Sequence, residues 1–318
     1  LGTILGTLAD KGRDKVTIIT SPALHSLGSW LEQLIAESTG KEGKGLIPIV
    51  GESLGTRDLY GMDRIFVYVR GRETGSEEQD AKIDDLERTG HPVVRINLEG
   101  KRELGQEFFR WEMATAVAGS ILGINPFNQP DVESAKIASR TLMKTNGIST
   151  DENPFVKEDG IELFTNPKEI RKNSSLEEAL FAHLSKLQAG DYFSINAFLE
   201  MKEEYNRHLD DIRLAIRDSK KVATSVGYGP RFLHSTGQLH KGGPNSGLFL
   251  QITSEDREDL PIPGEKFTFG TLKRAQAQGD FEVLVERNRR IVRLHLGEDV
   301  GKDLARISKM IQKIMAQA

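Results

Sequence analysis

The sequence predicts an α/β protein built on a doubly wound, mainly parallel sheet flanked by helices, with an α/β C-terminal portion. Two observations carry that expectation. Short β-branched runs recur at residues 15–20, 65–69 and 92–98, and stretches with helical periodicity fill the gaps between them. Strands that alternate with helices point to parallel pairing with helices on both faces. The length, 318 residues, is enough for one large core or two modest ones.

Taken in order, residues 1–10 read as a helix already under way, with no initiating Met, which gives the expectation of a piece of a longer protein. Residues 15–20 form the first strand, and Ser21-Pro22 turns the chain into a helix whose apolar positions are Leu27, Trp30, Leu31, Leu34 and Ile35. Residues 46–50 and 65–69 are the next strands, 76–89 a charged surface helix and 92–98 a fourth strand. A long helix over 104–122 presents Phe108, Trp111, Ala114, Thr115, Ala118 and Leu122 on one face. Pro126 and Pro130 then break the chain, and Pro130 and Asp131 open a helix that runs to about residue 143. The first domain is therefore 1–143.

Residues 144–172, rich in Asn, Gly, Ser, Thr, Asp and Pro with little periodicity, read as a linker. Residues 173–318 read as the α/β C-terminal portion: helices at 175–188, 200–218, 267–278 and 299–316, and strands at 191–195, 221–226, 247–253, 282–286 and 290–296. A Gly-rich stretch spans 227–247, and no internal repeat is visible.

Composition excludes several classes. Charged residues make up 28% and the net charge is −4, which argues against nucleic acid or an anionic membrane as partner. Arg287, Arg289, Arg290 and Arg293 are basic but lack interleaved aromatics. The chain has no cysteine, so no disulfide, thiolate metal site or thiol nucleophile is available. No apolar run nears the roughly 20 residues that span a bilayer, and no signal peptide is recognisable. The expectation is a cytoplasmic protein.

Three stretches have the residue types that chemistry needs. In the first, Gln33, Glu37 and Lys41 share a helix face at i, i+4 and i+8, beside a Gly-Lys-rich turn. A carboxylate there can abstract a proton in a partly dry cleft; the plain alternative is a solvated helix end. In the second, Gln129, Glu133 and Lys136 follow one another along a helix after a Pro-rich turn, where Lys136 can bind phosphate or donate a proton, or simply pair with Glu133. The third is the run 229–244, in which His234, His240, Arg231 and Lys241 lie among glycines and hydroxyls. Such a loop suits an anion beside a titrating imidazole; a structural Gly-rich turn is the plain alternative. The His234/His240 spacing does not fit a helical metal pair, so no metal is expected.

Together these runs resemble the phosphoglucose isomerases. Gln33 to Lys41 resembles their Gln-x-x-x-Glu-Ser-x-Gly-Lys segment, Gly123 to Lys136 their Gly-x-Asn-Pro-Phe-x-Gln-Pro-x-Val-Glu-x-x-Lys signature, and His234 to Gln238 their His-x-x-Gly-Gln block. The wording is most similar to the isomerase part of bifunctional transaldolase–isomerases. The resemblance implies a sugar-isomerase (SIS-like) fold and interconversion of glucose 6-phosphate and fructose 6-phosphate without cofactor. Glu37 would be the base, His234 and Lys136 would open the ring, and Gln33, Gln129, Lys41 and His240 would contact substrate. It also implies a homo-oligomer, with a first isomerase domain, and in fused forms a transaldolase domain, as partners of this chain. There are two departures. The histidine block follows the lysine signature here, where most members have the reverse order. Neither the Ser/Thr-rich phosphate loop nor the Gly-Gly-Arg segment is found in the sequence. A non-catalytic sugar-phosphate-binding module therefore stands as the alternative.

Overall fold

The β-branched run Lys15–Thr20 (β1) forms the strand around which the first sheet is wound. The structure, a computed structural model, describes residues 1–72, 75–131, 137, 153–165, 174–256 and 258–317. Ile47–Val50 (β2), Arg64–Gly71 (β3) and Val93–Leu98 (β4) complete an all-parallel sheet in the order β2-β1-β3-β4. The chain leaves β1 to one side and then crosses back to the other, which makes the sheet doubly wound. Gly2–Asp10 (α1), His25–Thr39 (α2), Glu77–Arg88 (α3) and Leu104–Leu122 (α4) accompany it. Leu27, Leu31 and Ile35, each four residues from the next on α2, enter one core with Val16, Ile18, Ile65 and Val67 and with Trp111 of α4. Gly123 ends α4 in the left-handed conformation, φ 70°, which a β-carbon would disfavour.

The second sheet contains Val156–Glu158 (β5), Ile161–Thr165 (β6), Tyr192–Phe198 (β7), Ala223–Tyr228 (β8), Gly247–Ser254 (β9) and Arg290–Leu296 (β10), in the order β5-β6-β10-β9-β7-β8. Its parallel part, read β8-β7-β9-β10, has the same winding as β2-β1-β3-β4, with no matching sequence repeat. Leu176–Leu184 (α5), Glu203–Lys220 (α6), Ser235–Gly242 (α7), Phe269–Glu286 (α8) and Val300–Ala316 (α9) belong to this half. Ser175 and Glu178 close a reciprocal capping box on α5.

Three expectations are corrected. Residues 156–165, read as linker, form an antiparallel hairpin, and β6 extends the sheet beside β10. Val156, Ile161 and Leu163 are buried there; the alternation is too short to stand out against its polar flanks. Residues 282–286, read as a strand, are the last turns of α8, where Ala277, Phe281 and Leu284 continue its buried face. The stretch 227–247, read as a Gly-rich loop, contains α7. The helix expected over 131–143 lies, apart from Asp131 and Ile137, outside the described residues.

An apolar cluster joins the two halves, with Ala36, Ile47 and Ile49 from the first and Tyr192, Leu239, Phe249 and Leu284 from the second. Beside it is a buried ionic joint. Arg64 Nη2 donates to Glu52 Oε2 at 3.2 Å and to Val222 O at 3.2 Å, and Nη1 donates to Thr17 Oγ1 at 2.7 Å. The Thr224 hydroxyl and amide also donate to Glu52 Oε2, at 2.9 and 3.2 Å, and Arg213 donates to Val50 O at 3.3 Å. Burial alone would raise the Glu52 carboxyl, but Arg64 and Arg213 outweigh it and hold the group below its ordinary value.

Glu52→Gln is expected to destabilise the protein by about 3 kcal/mol at neutral pH, because it leaves Arg64 buried without its counter-charge. Because the folded-state value is depressed, the carboxylate's contribution is complete above the ordinary 4.5 and is lost as pH falls through the folded value. Urea unfolding from pH 7 to 3 should therefore show the gap between variant and wild type closing at the acid end.

Candidate functional site

Helix α2 places Gln33 and Glu37 one turn apart on the side that faces α7. The partners on the other side come from the segment after β8. Residues Arg231–Leu233 make one tight turn, His234 caps α7, and Ser235 is the first residue of that helix. The Ser235 hydroxyl donates to Glu37 Oε2 at 2.5 Å. With its amide turned so that donors meet acceptors, Gln33 donates to Ser235 Oγ at 2.8 Å and accepts from Arg231 Nε and Nη2 at 3.0 and 3.1 Å. Arg231 also reaches Ser29 O at 2.6 Å and Glu32 Oε2 at 3.2 Å. Burial raises the Glu32 carboxyl, and Arg231 and Arg213 oppose that shift.

Behind this edge, Gln238 ties all three sequence-marked segments together. Its Nε2 donates to Gly40 O at 2.8 Å and to Asp131 Oδ2 at 2.7 Å, while its Oε1 accepts from Asp131 N at 2.9 Å. Gly43 N donates to Gly242 O at 2.9 Å beside it. The run from Gln33, the run from Gly123 and the run from Gly229 thus meet in space.

The expected site residues divide accordingly. Glu37, Gln33 and the backbone of His234 come together. The His234 side chain is exposed and makes no hydrogen bond among the described residues. Gln129 is exposed in the turn after α4, and Lys136 lies outside the described residues. Two expectations are corrected. Lys41, expected to contact substrate, is fully buried and donates to Asn125 O at 2.9 Å, to Asn128 Oδ1 at 3.2 Å and to Asn128 O. Burial lowers its pKa, partly offset by Glu37 and Asp131. It clamps the Asn125–Asn128 turn onto α2. His240, also expected at the substrate, packs with its ring 4.9 Å from Phe249 and 6.4 Å from Tyr192. Burial, with Lys241 and Arg289 nearby, pushes its imidazole down to about 3, so it is a neutral core residue.

Ser235 and Gln238 have no assigned role in the sequence reading, where Arg231 stands only as one of two basic residues in the run 229–244. The signal available was a hydroxyl beside a candidate histidine at a helix start, and it was hidden because α7 was read as loop.

The location also differs from what the first sheet alone implies. Glu37 lies at the far end of α2 from the carboxyl end of β1, about 18 Å along the helix axis. The site forms instead where the segment leaving the carboxyl end of β8 meets α2, so the rule that ligands sit beyond strand carboxyl ends points to the second sheet.

Among curated proteins, those named glucose-6-phosphate isomerase are similar to this chain. The match is 29% identical over 167 residues in Rubrobacter xylanophilus (40% of this chain, 38% of that protein) and 29% over 177 residues in Parabacteroides distasonis (43% and 39%). In Lactobacillus helveticus it is 30% over 151 residues (36% and 34%). The matched stretch thus spans less than two-fifths of each relative's length. No protein-family model matches the chain. Among solved structures, a hypothetical protein of Thermus thermophilus aligns with TM-score 0.40 at 14% identity, covering 99% of this chain and 80% of that one. A glucose-6-phosphate isomerase of Chlamydia trachomatis aligns with TM-score 0.33 at 11% identity, covering 99% and 67%. Those two likenesses are too low to carry an argument.

A β-carbon at Gly40 would lie 2.4 Å from Leu239 Cα and 2.8 Å from Ala36 O, both backbone atoms. Gly40→Ala should therefore force α2 and α7 apart, at a cost of about 1–3 kcal/mol in denaturant unfolding. A variant as stable as wild type would mean that the two helices do not approach this closely.

Proposed function

We propose, from the premise that this chain is related to the phosphoglucose isomerases, that it carries the base-bearing part of a site that interconverts glucose 6-phosphate and fructose 6-phosphate. The observation that carries this reading is the hydrogen bond from Ser235 to Glu37. It brings the carboxylate on α2 beside the segment that holds His234, far away in the chain.

Aldose–ketose isomerisation needs a ring-opening step and then a proton shift between adjacent carbons. His234, with Lys136 as its expected helper, moves a proton onto the ring oxygen as the C1 hydroxyl loses one, which opens the ring. Glu37 then takes the proton from C2 of the open aldose, leaving a cis-enediolate; a proton passes from the C2 oxygen to the C1 oxygen, and Glu37 returns its own proton to C1 to give the ketose. The same carboxyl group serves both halves, so the step balances without metal or organic cofactor. Negative charge develops on the enediolate oxygens and needs a cation nearby, and the Gly-Gly-Arg segment that would supply one in the family is not found in this sequence. The phosphate-holding loop expected of the family is not in this sequence. The reading therefore places the phosphate contact on another domain or subunit.

The test is a coupled assay for glucose 6-phosphate formed from fructose 6-phosphate, run on this chain and on the natural full-length protein. Glu37→Gln is expected to lower kcat by about 10³-fold or more, with folding intact by circular dichroism. Full activity in Glu37→Gln would remove Glu37 from the role of base. Binding of fructose 6-phosphate with no turnover in the full-length wild type would favour the non-catalytic module.

A further inference from the structure

The hydrogen bonds from Arg231 to Glu37 form one chain whose direction is set from one end. A guanidinium only donates, so the Gln33 atom facing Arg231, at 3.0 and 3.1 Å, is its carbonyl oxygen. The amide nitrogen of Gln33 then faces Ser235 Oγ at 2.8 Å and donates to it. Ser235 has a single hydroxyl proton, and with Gln33 already donating, that proton goes to Glu37 Oε2 at 2.5 Å. Each link is fixed by the one before it.

We infer that Ser235 is a positioning residue for the base: it holds Glu37 by Oε2 and leaves Oε1 as the oxygen that carries the substrate proton. This rests on the isomerase reading given above. A carboxylate at the end of a flexible side chain has two equivalent oxygens and several rotamers. Proton transfer between C2 and C1 needs one oxygen over both carbons in turn, so a second point of attachment favours the reactive geometry.

The support behind Ser235 suits that task. Ser235 is 5% exposed and begins a helix that is held at its middle through Gln238 and at its far end through the carbonyls of Lys241 and Gly243. The Lys241 ammonium pairs with Asp280 at 2.5 Å in the interior. Helix α7 thus presents the hydroxyl from a fixed base. Arg231 contributes at one remove, by fixing which way the Gln33 amide faces. If it were absent, Gln33 could invert and present its oxygen to Ser235, and the serine proton would then have two acceptors to choose between.

The experiment is steady-state isomerisation of fructose 6-phosphate by the natural full-length protein. It compares wild type, Ser235→Ala, Ser235→Thr, Arg231→Met and the Ser235→Ala/Arg231→Met double variant, each with its thermal unfolding midpoint. Ser235→Ala should lower kcat by about 10²-fold with KM within about twofold, a split that general destabilisation does not produce. Ser235→Thr, which keeps the hydroxyl, should recover most of the loss. Arg231→Met should lower kcat less than Ser235→Ala does, and should add no further kcat loss in the double variant, because both act through the same proton. Wild-type kcat in Ser235→Ala, equal losses in Ala and Thr, or additive kcat losses would each overturn the inference and leave the isomerase reading standing. An inactive wild type would instead bring down the isomerase reading, and this inference with it.

Discussion

The carboxamide of Gln238 is the contact on which the arrangement of the site depends. It is wholly buried, and its oxygen and nitrogen meet backbone or carboxylate groups from two other segments. No apolar residue of that size could replace it without leaving the Gly40 carbonyl and the Asp131 amide unpaired in the interior. Asp131 passes the constraint on to Arg287, which also reaches Lys241 O at 3.3 Å. Arg289 donates to Lys241 O at 2.6 Å and to Gly243 O at 2.9 Å. The Lys241 carbonyl in the last turn of α7 is thereby met by two guanidinium groups, and the Gly243 carbonyl just beyond the helix by one of them. A short helix held so firmly at its C-terminal end has little freedom at the other end, where Ser235 projects toward Glu37.

How much of this was legible in the sequence follows from the range of the interactions. Local signals served well where one residue type decides the structure. The β-branched run 15–20, the apolar face of 27–35 and the long helix over 104–122 were each visible and each formed as expected. Signals failed where distant partners decide. Val283 and Val285 give residues 282–286 the look of a strand, yet burial of Phe281 and Leu284 keeps the segment helical. Glycines at 237, 242 and 243 mark a loop by propensity. Gly237 is instead a packing position, where a β-carbon would lie 2.2 Å from Phe232 O.

The site shows the same division. Gln33 and Glu37 were found because helical spacing alone puts them on one face, and the structure keeps them there. Lys41 and His240 stand in equally polar runs, and sequence cannot tell an ammonium that faces a ligand from one that binds two turn carbonyls. Nor does it show that an imidazole will be enclosed by Tyr192 and Phe249. Desolvation is a property of the surroundings, and those come from Phe249 and Tyr192 on strands of a different part of the chain.

Glu37 belongs to a helix of the first sheet and Ser235 to a helix of the second, so their 2.5 Å contact crosses the boundary between two independently wound halves. Apolar packing of Ile47, Ile49, Tyr192 and Phe249 holds the halves together, but such contacts are non-directional and tolerate sliding. Displacement by about an ångström would leave that surface nearly as well buried while breaking the hydrogen bond. The joint of Glu52, Arg64, Thr224 and Arg213 does not tolerate sliding, since each member has a fixed partner and leaving any one unpaired in the interior is costly. A buried ion pair of this kind adds little net stability over an apolar filling, so its use here is better sought in geometry. It fixes the register in which one sheet meets the other, and through that register the distance between the base and the serine that holds it.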